Sequence, residues 1–298
     1  MEIRMNPKRR NLFALLGSAL FAWPALSAGF GKNPATAPTR STVMPRHVIC
    51  FLGDKNGLAS LRKTAETAIS QFAEGFSIDE SYSVDNADDR MKQSFAVCWD
   101  RVAENAFNEA DERAVSEHGS VLYVLGPHVV AEKTVAISAI ALRFVQFMLD
   151  GGALAAKGES AGVAHGIDRW KELADQAHEA TISNDTLALA STCRLAFARR
   201  PIGDPTAGES METVGFHLVG LPDVIIDDVK LPNPKIYTNG DQIEIADFID
   251  AIATKMTENG VLETIARDKY SLSDDGRYDE DSFKFNPFGI VTIKTVPL

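Results

Sequence analysis

The chain has 298 residues, of which 45% are hydrophobic, and a formal net charge of −11 at pH 7. That length suits one large domain or two small ones with a real core. The acidic balance excludes the electrostatic footprint of a nucleic-acid binder and disfavours an anionic membrane surface.

The first thirty residues differ from the rest. Lys8, Arg9 and Arg10 precede an apolar run from Leu12 to Leu26, which ends in the small residues Ala25, Ser27 and Ala28. A charged segment, a short apolar segment and a small-residue cleavage site make residues 1–28 an expected export signal. Arg9-Arg10 with Leu12-Phe13 resembles a twin-arginine signal. Pro24 and the short run argue against a stable membrane span. A periplasmic or otherwise exported protein is expected, or a cytoplasmic one if translation starts at Met44. Residues 29–46, rich in Pro, Thr, Gly and Ala, read as a linker.

From residue 47 to 298 a single α+β domain is expected. "HVICFLG" is a continuous apolar run closed by glycine, hence a buried strand. "GLASLRKTAETAISQF" places Leu58, Leu61, Ala65, Ala68, Ile69 and Phe72 at helical spacing, with Asp54 or Asn56 as its cap. "FSIDESYSV" alternates as a second strand, and 88–118 reads as helix in two pieces. "SVLYVLG", the apolar helix "AEKTVAISAIALRFVQFMLDGG" and the small-residue strand "ALAAKGES" form a strand–helix–strand unit, which predicts a parallel pair. Asp168 is the expected cap of the helix "DRWKELADQAHEA". Beyond Asn184, "DTLALASTCRLAFARRPI", "ETVGFHLVG" and "DVIIDDVKL" read as antiparallel strands. "QIEIADFIDAIATKMTENG" reads as an amphipathic helix, and "FGIVTIKTVPL" as a last strand.

Gly158–Gly162, "GESAG", matches the G-x-S-x-G elbow that presents a nucleophilic serine between a strand and a helix. A serine esterase would use Ser160 as nucleophile, His217 as base, and Asp204 or Asp185 to orient it. Against this stand the weak strand "ALAAK", the lack of an H-G-G-G-like oxyanion loop, and Gly166 in the helix that should follow. Glu159, His165 and Asp168 lack the paired spacing of metal ligands, so neither a metal nor a cofactor is expected. "GDKNGLASL" lacks the spacing of a phosphate-binding loop. "SDDGRYDED" reads as a solvated acidic hairpin, without the alternation of a calcium loop. Cys50, Cys98 and Cys193, odd in number and far apart, read as buried thiols. The basic "RLAFARRP", with Arg194, Arg199 and Arg200, could hold an acidic partner, although charges on a strand edge commonly serve solvation and protection of that edge.

Two segments together, "GGALAAKGESAGVAHGIDRW" and "ETVGFHLVGLPDVIID", resemble a family of bacterial domains of unknown function. In that family a helix ends in glycines, a small-residue strand leads to an E-S-x-G-x-x-H-x-x-x-x-W segment, and a later strand reads T-x-G-x-x-x-x-G-L-P-[DE]. Glu159, Ser160, Gly162, His165 and Trp170 match the first segment. Thr213, Gly215, Gly220, Leu221, Pro222 and Asp223 match the second. The resemblance spans roughly His47 to Asn259 and brings no activity with it. It implies that "GESAG" belongs to a longer signature. If the two turns meet in space, Glu159, Ser160, His165, His217 and Asp223 are the candidate binding residues of one polar cleft. The expected function is binding of a protein or a small ligand, with serine hydrolysis as the alternative.

Overall fold

Residues 45–128, 130–268, 270–273 and 278–297 are described by a computed structural model of the chain. The expected export signal, the linker up to residue 44 and the centre of the acidic stretch, 274–277, lie outside the described residues.

The first half runs β1 (Val48–Gly53), α1 (Leu58–Gln71), β2 (Ser77–Ile78), α2 (Arg90–Cys98), α3 (Glu109–Glu117), β3 (Ser120–Leu125), α4 (Thr134–Asp150), β4 (Ala155–Gly158), β5 (Val163–His165) and α5 (Ile167–Ile182). Its sheet has the order β2-β3-β1-β4-β5, antiparallel at every step. Side chains alternate across a strand, so a strand covered on both faces must be apolar throughout. β1 shows this directly. Ile49 and Phe51 join Leu122, Val124 and Ala156 in a core beneath α1, α4 and α5. Cys50 and Leu52 join Val121, Tyr123 and Ala155 in a second core beneath α2 and α3, built on Met91, Phe95 and Val115.

The expected parallel pair does not form. β3 and β4 run in the same direction, but β1 lies between them and pairs antiparallel with both. The helix α4 therefore crosses over one strand, and the more apolar β1 takes the central place.

The second half runs α6 (Thr186–Phe197), β6 (Arg199–Ile202), β7 (Met211–Val214), β8 (Asp223–Ile226), β9 (Val229–Lys230), α7 (Asn239–Asn259), α8 (Val261–Asp268), β10 (Ser271–Ser273), β11 (Ile290–Ile293) and β12 (Val296–Pro297). Its sheet has the order β10-β11-β8-β7-β6, and the β11–β8 pair is parallel. β9 and β12 form a separate parallel ribbon. Two mostly antiparallel sheets with helices packed on them make an α+β fold.

The stretch Thr186–Phe197, expected as a strand, is the helix α6. Its run of Leu and Ala is apolar at both periods, so alternation there does not discriminate, and Ala and Leu favour the helix. Asp185 caps it by accepting the Ala188 N–H at 2.9 Å. The helix joins the two halves: Ala196 and Phe197 lie in the first core, and Cys193 lies in the core of the second sheet with Val224, Ile249 and Val291.

Two helix starts are capped from a distance rather than by the neighbours expected. The Leu58 N–H of α1 donates to Asp85 Oδ1 at 3.2 Å, and the Ile167 N–H of α5 donates to Asp111 Oδ1 at 3.1 Å. Asp111 Oδ2 also accepts the Asn108 N–H at 2.9 Å, so one carboxylate caps α3 and α5 together. Gly166 makes room for it, because a Cβ there would fall 2.2 Å from Asp111 Oδ2.

Candidate functional site

The turn "GESAG" joins β4 to β5, with Gly158 paired opposite Val163. It is the bend of a β-hairpin, not the strand-to-helix elbow that the esterase reading requires. Ser160 Oγ donates to the Arg46 carbonyl at 2.8 Å and accepts the Val48 N–H at 2.8 Å. Its proton is committed to the backbone entering β1. Asp204 sits at an exposed turn and accepts the Thr206 N–H and hydroxyl at 2.9 and 2.6 Å, while Asp185 is the α6 cap. The serine, base and acid of the esterase reading are therefore not assembled as a triad.

The second motif closes on itself. Asp223 Oδ1 accepts the Thr213 hydroxyl at 2.7 Å and the Phe216 N–H at 3.2 Å, and its Oδ2 accepts Asn286 Nδ2 at 2.7 Å. Burial pushes the Asp223 carboxyl up to about 6, while these donors pull the other way. The two motifs do meet. Gly215, at φ 105°, lies so close to the hairpin that a Cβ would be 2.6 Å from the Ala161 methyl. This meeting is a packing contact between Gly215 and Ala161.

The candidate residues separate accordingly. His217 is buried on the turn after β7, where its Nδ1 has no hydrogen-bond partner among the described residues, and burial pulls its pKa down to about 4. Next to it, His47 Nε2 donates to Ser138 Oγ at 2.8 Å, since that hydroxyl gives its own proton to the Leu218 carbonyl at 2.6 Å. Burial, then the neighbouring His217, lowers His47 to about 3, so both rings are neutral.

Glu159 belongs to a row that register builds across three strands. Tyr123 on β3 pairs with Cys50 on β1, and Cys50 pairs with Lys157 on β4. The fully buried Lys157 ammonium reaches Glu159 Oε1 at 2.9 Å and donates to Ser94 Oγ, and the Tyr123 hydroxyl donates to the same Glu159 oxygen at 3.3 Å. Burial opposes the charge on Lys157, yet its negative surroundings, the Glu159 carboxylate foremost, raise its pKa. Lys157 is thus an ion-pair partner and not a base beside Ser94. Breaking such a buried pair from one side typically costs about 3–5 kcal/mol.

His165 lies beneath a different feature. Its Nε2 donates to the Ala196 carbonyl at 3.2 Å, its ring meets Trp170 edge-on at 4.7 Å, and its Nδ1 stands 3.7 Å from Asp100 Oδ2. Trp170 is itself fully buried and donates from Nε1 to the Ala156 carbonyl at 3.1 Å.

Asp100 lines a cleft of about 310 Å³ between the two sheets. The end of α2 and the loop after it supply Cys98, Asp100 and Arg101. β6 supplies Arg199 and Arg200, and α7 supplies Gln242. Three guanidiniums thus face a single lining carboxylate. Arg200 and Arg194 share the carboxylate of Asp250. Arg199 and Arg101 form no ion pair with any described residue, and Arg101 donates to the Ala96 carbonyl at 3.2 Å. Gly162 of the hairpin forms part of the surround: a Cβ there would lie 3.6 Å from Cys98 Sγ and 3.9 Å from Arg199 Nη1. All three cysteines are free and buried, and burial raises each thiol.

The "RLAFARRP" arginines could be read from the sequence, but Asp100, Arg101 and Gln242 could not. They come from segments far away in the chain, and no local pattern marks them. Among the described residues no group of three or more His, Cys, Asp or Glu side chains could hold a metal ion, and no helix is long and apolar enough to cross a membrane. No family model matches the chain, and neither a curated protein nor a solved structure matches it.

Proposed function

We propose that this protein binds a small anionic molecule in the cleft between its two sheets. The observation that carries the reading is the pair Arg199 and Arg101, two guanidiniums without a carboxylate partner among the described residues, lining one cleft with Arg200. Arginine is always charged, and its planar fork matches carboxylate and phosphate oxygens two at a time. In a chain of net charge −11, a concave surface with three cations and one anion is set against the overall field. The volume is at the small end of ligand sites, which suits a metabolite of few atoms or one terminal group of a larger molecule. Val97, Val102 and Pro201 add an apolar side to the same cleft. The basic and apolar leader supports a site of action outside the cytoplasm.

A melting-temperature panel tests the reading. Sulfate, phosphate and oxalate are compared with chloride at matched ionic strength, for the wild type and for Arg199→Ala. Stabilisation of the wild type that the variant loses supports the site. Equal responses in both proteins, or none, overturn it.

A further inference from the structure

Beneath the arginine wall, the imidazole of His165 is almost wholly buried, at 1% exposure, and only half of its hydrogen-bonding capacity is met. Nε2–H is held by the Ala196 carbonyl, which leaves Nδ1 as the acceptor nitrogen of the neutral ring. No donor reaches Nδ1 among the described residues. Asp100 Oδ2 stands 3.7 Å from it, an acceptor facing an acceptor. An orphaned buried nitrogen opposite a carboxylate is an arrangement that one added proton completes.

We propose that the cleft takes up its anion together with one proton, which binds His165 Nδ1 and joins it to Asp100. This rests on the anion-binding reading and specifies how that site is regulated. The charged groups around the ring decide the direction. Asp100, from the loop after α2, favours the imidazolium. Burial opposes it most strongly, and Arg169 of α5 and Arg200 of β6 add to that, so the pKa is lowered. Arg200 is itself held with Arg194 on Asp250, and Asp111 is engaged by Asn108 and Ile167. An anion on the arginine wall offsets the repulsion from Arg200 and adds a negative charge that favours the imidazolium against burial. His165 then ionises, its Nδ1–H turns to Asp100, and the clash of two acceptors becomes a charge-assisted hydrogen bond. The proton comes from solvent, and no covalent bond changes.

Calorimetric titration of the full chain with sulfate at about pH 6 tests this, in two buffers of different ionisation enthalpy. Sulfate carries no proton of its own at that pH, so any buffer-dependent heat reports uptake by the protein. The expected result is uptake approaching one proton per sulfate for the wild type, close to zero for His165→Asn and reduced for Asp100→Asn. Binding should also tighten from about pH 8 to about pH 6 in the wild type, less so in Asp100→Asn and not in His165→Asn. Sulfate binding with no buffer dependence, or with the same dependence in both variants, overturns the proton coupling and leaves the anion site standing. No sulfate heat in any buffer overturns both. If His165→Asn does not fold, the ring-carbon NMR signals of His165 in the wild type decide: they should move toward the imidazolium position on adding sulfate, and unmoved signals contradict the coupling.

Discussion

Gly215 of the second sheet abuts Ala161 of the first, and a Cβ at 215 would fall 2.6 Å from the Ala161 methyl and 3.0 Å from the Phe197 carbonyl. The same glycine holds φ 105°, a conformation that other L-residues rarely adopt. Steric room and backbone conformation thus demand glycine independently. Gly215→Ala is expected to destabilise the protein by about 2–4 kcal/mol, read from urea unfolding. A loss below about 0.5 kcal/mol would show that the two sheets are not joined here.

Ser160 ties the hairpin to the strand entering the first sheet. Its hydroxyl bonds Arg46 and Val48, so Ser160→Ala should cost about 1–3 kcal/mol in stability by leaving a carbonyl and an N–H without their partner. A serine-reactive phosphonate should leave the wild type unlabelled at this residue, as intact-mass measurement would show. Labelling that disappears in Ser160→Ala would restore the hydrolase reading.

The buried histidines set the response to acid. Burial takes His47 to about 3 and His217 to about 4, against 6.5 in the unfolded chain. As pH falls below 6.5 the unfolded chain binds protons that the folded state refuses. The stability these neutral rings contribute is therefore present above 6.5 and lost on acidification, by up to about 1.4 kcal/mol per pH unit for each ring. Asp223, raised to about 6 by burial, acts in the opposite direction between that value and its ordinary 3.8. Two histidines outweigh one carboxylate, so unfolding free energy should fall between about pH 6 and pH 4. His47→Gln, which can still donate to Ser138, should flatten the slope by about 1.4 kcal/mol per pH unit. An unchanged slope would mean that His47 is charged in the folded protein.

Much of this architecture is legible in the sequence, for identifiable reasons. β1, α1, α4 and α7 are long, periodic or closed by glycine, and they form where the pattern places them. β5 has only three residues, Val163–His165, between two glycines, so the hairpin that redefines "GESAG" leaves almost no periodic signal. α6 is apolar at every spacing and reads equally as strand or helix. The insertion of β1 between β3 and β4 is a tertiary choice that no segment declares. Asp85 and Asp111 cap helices many residues away, and local capping rules reach only a few positions. At the cleft, Arg199 and Arg200 stand out as a basic cluster in the sequence. Arg101 and Asp100 look like ordinary loop charges until the fold brings them opposite β6.

The most direct test is to locate an anion in the cleft. Crystals grown or soaked with selenate should show an anomalous selenium peak within hydrogen-bonding reach of the Arg199 guanidinium, with Arg200 or Arg101 as second partner. That peak should vanish in Arg199→Ala crystals prepared identically. Selenate bound elsewhere while the cleft stays empty, or an undiminished cleft peak in the variant, would contradict the assignment.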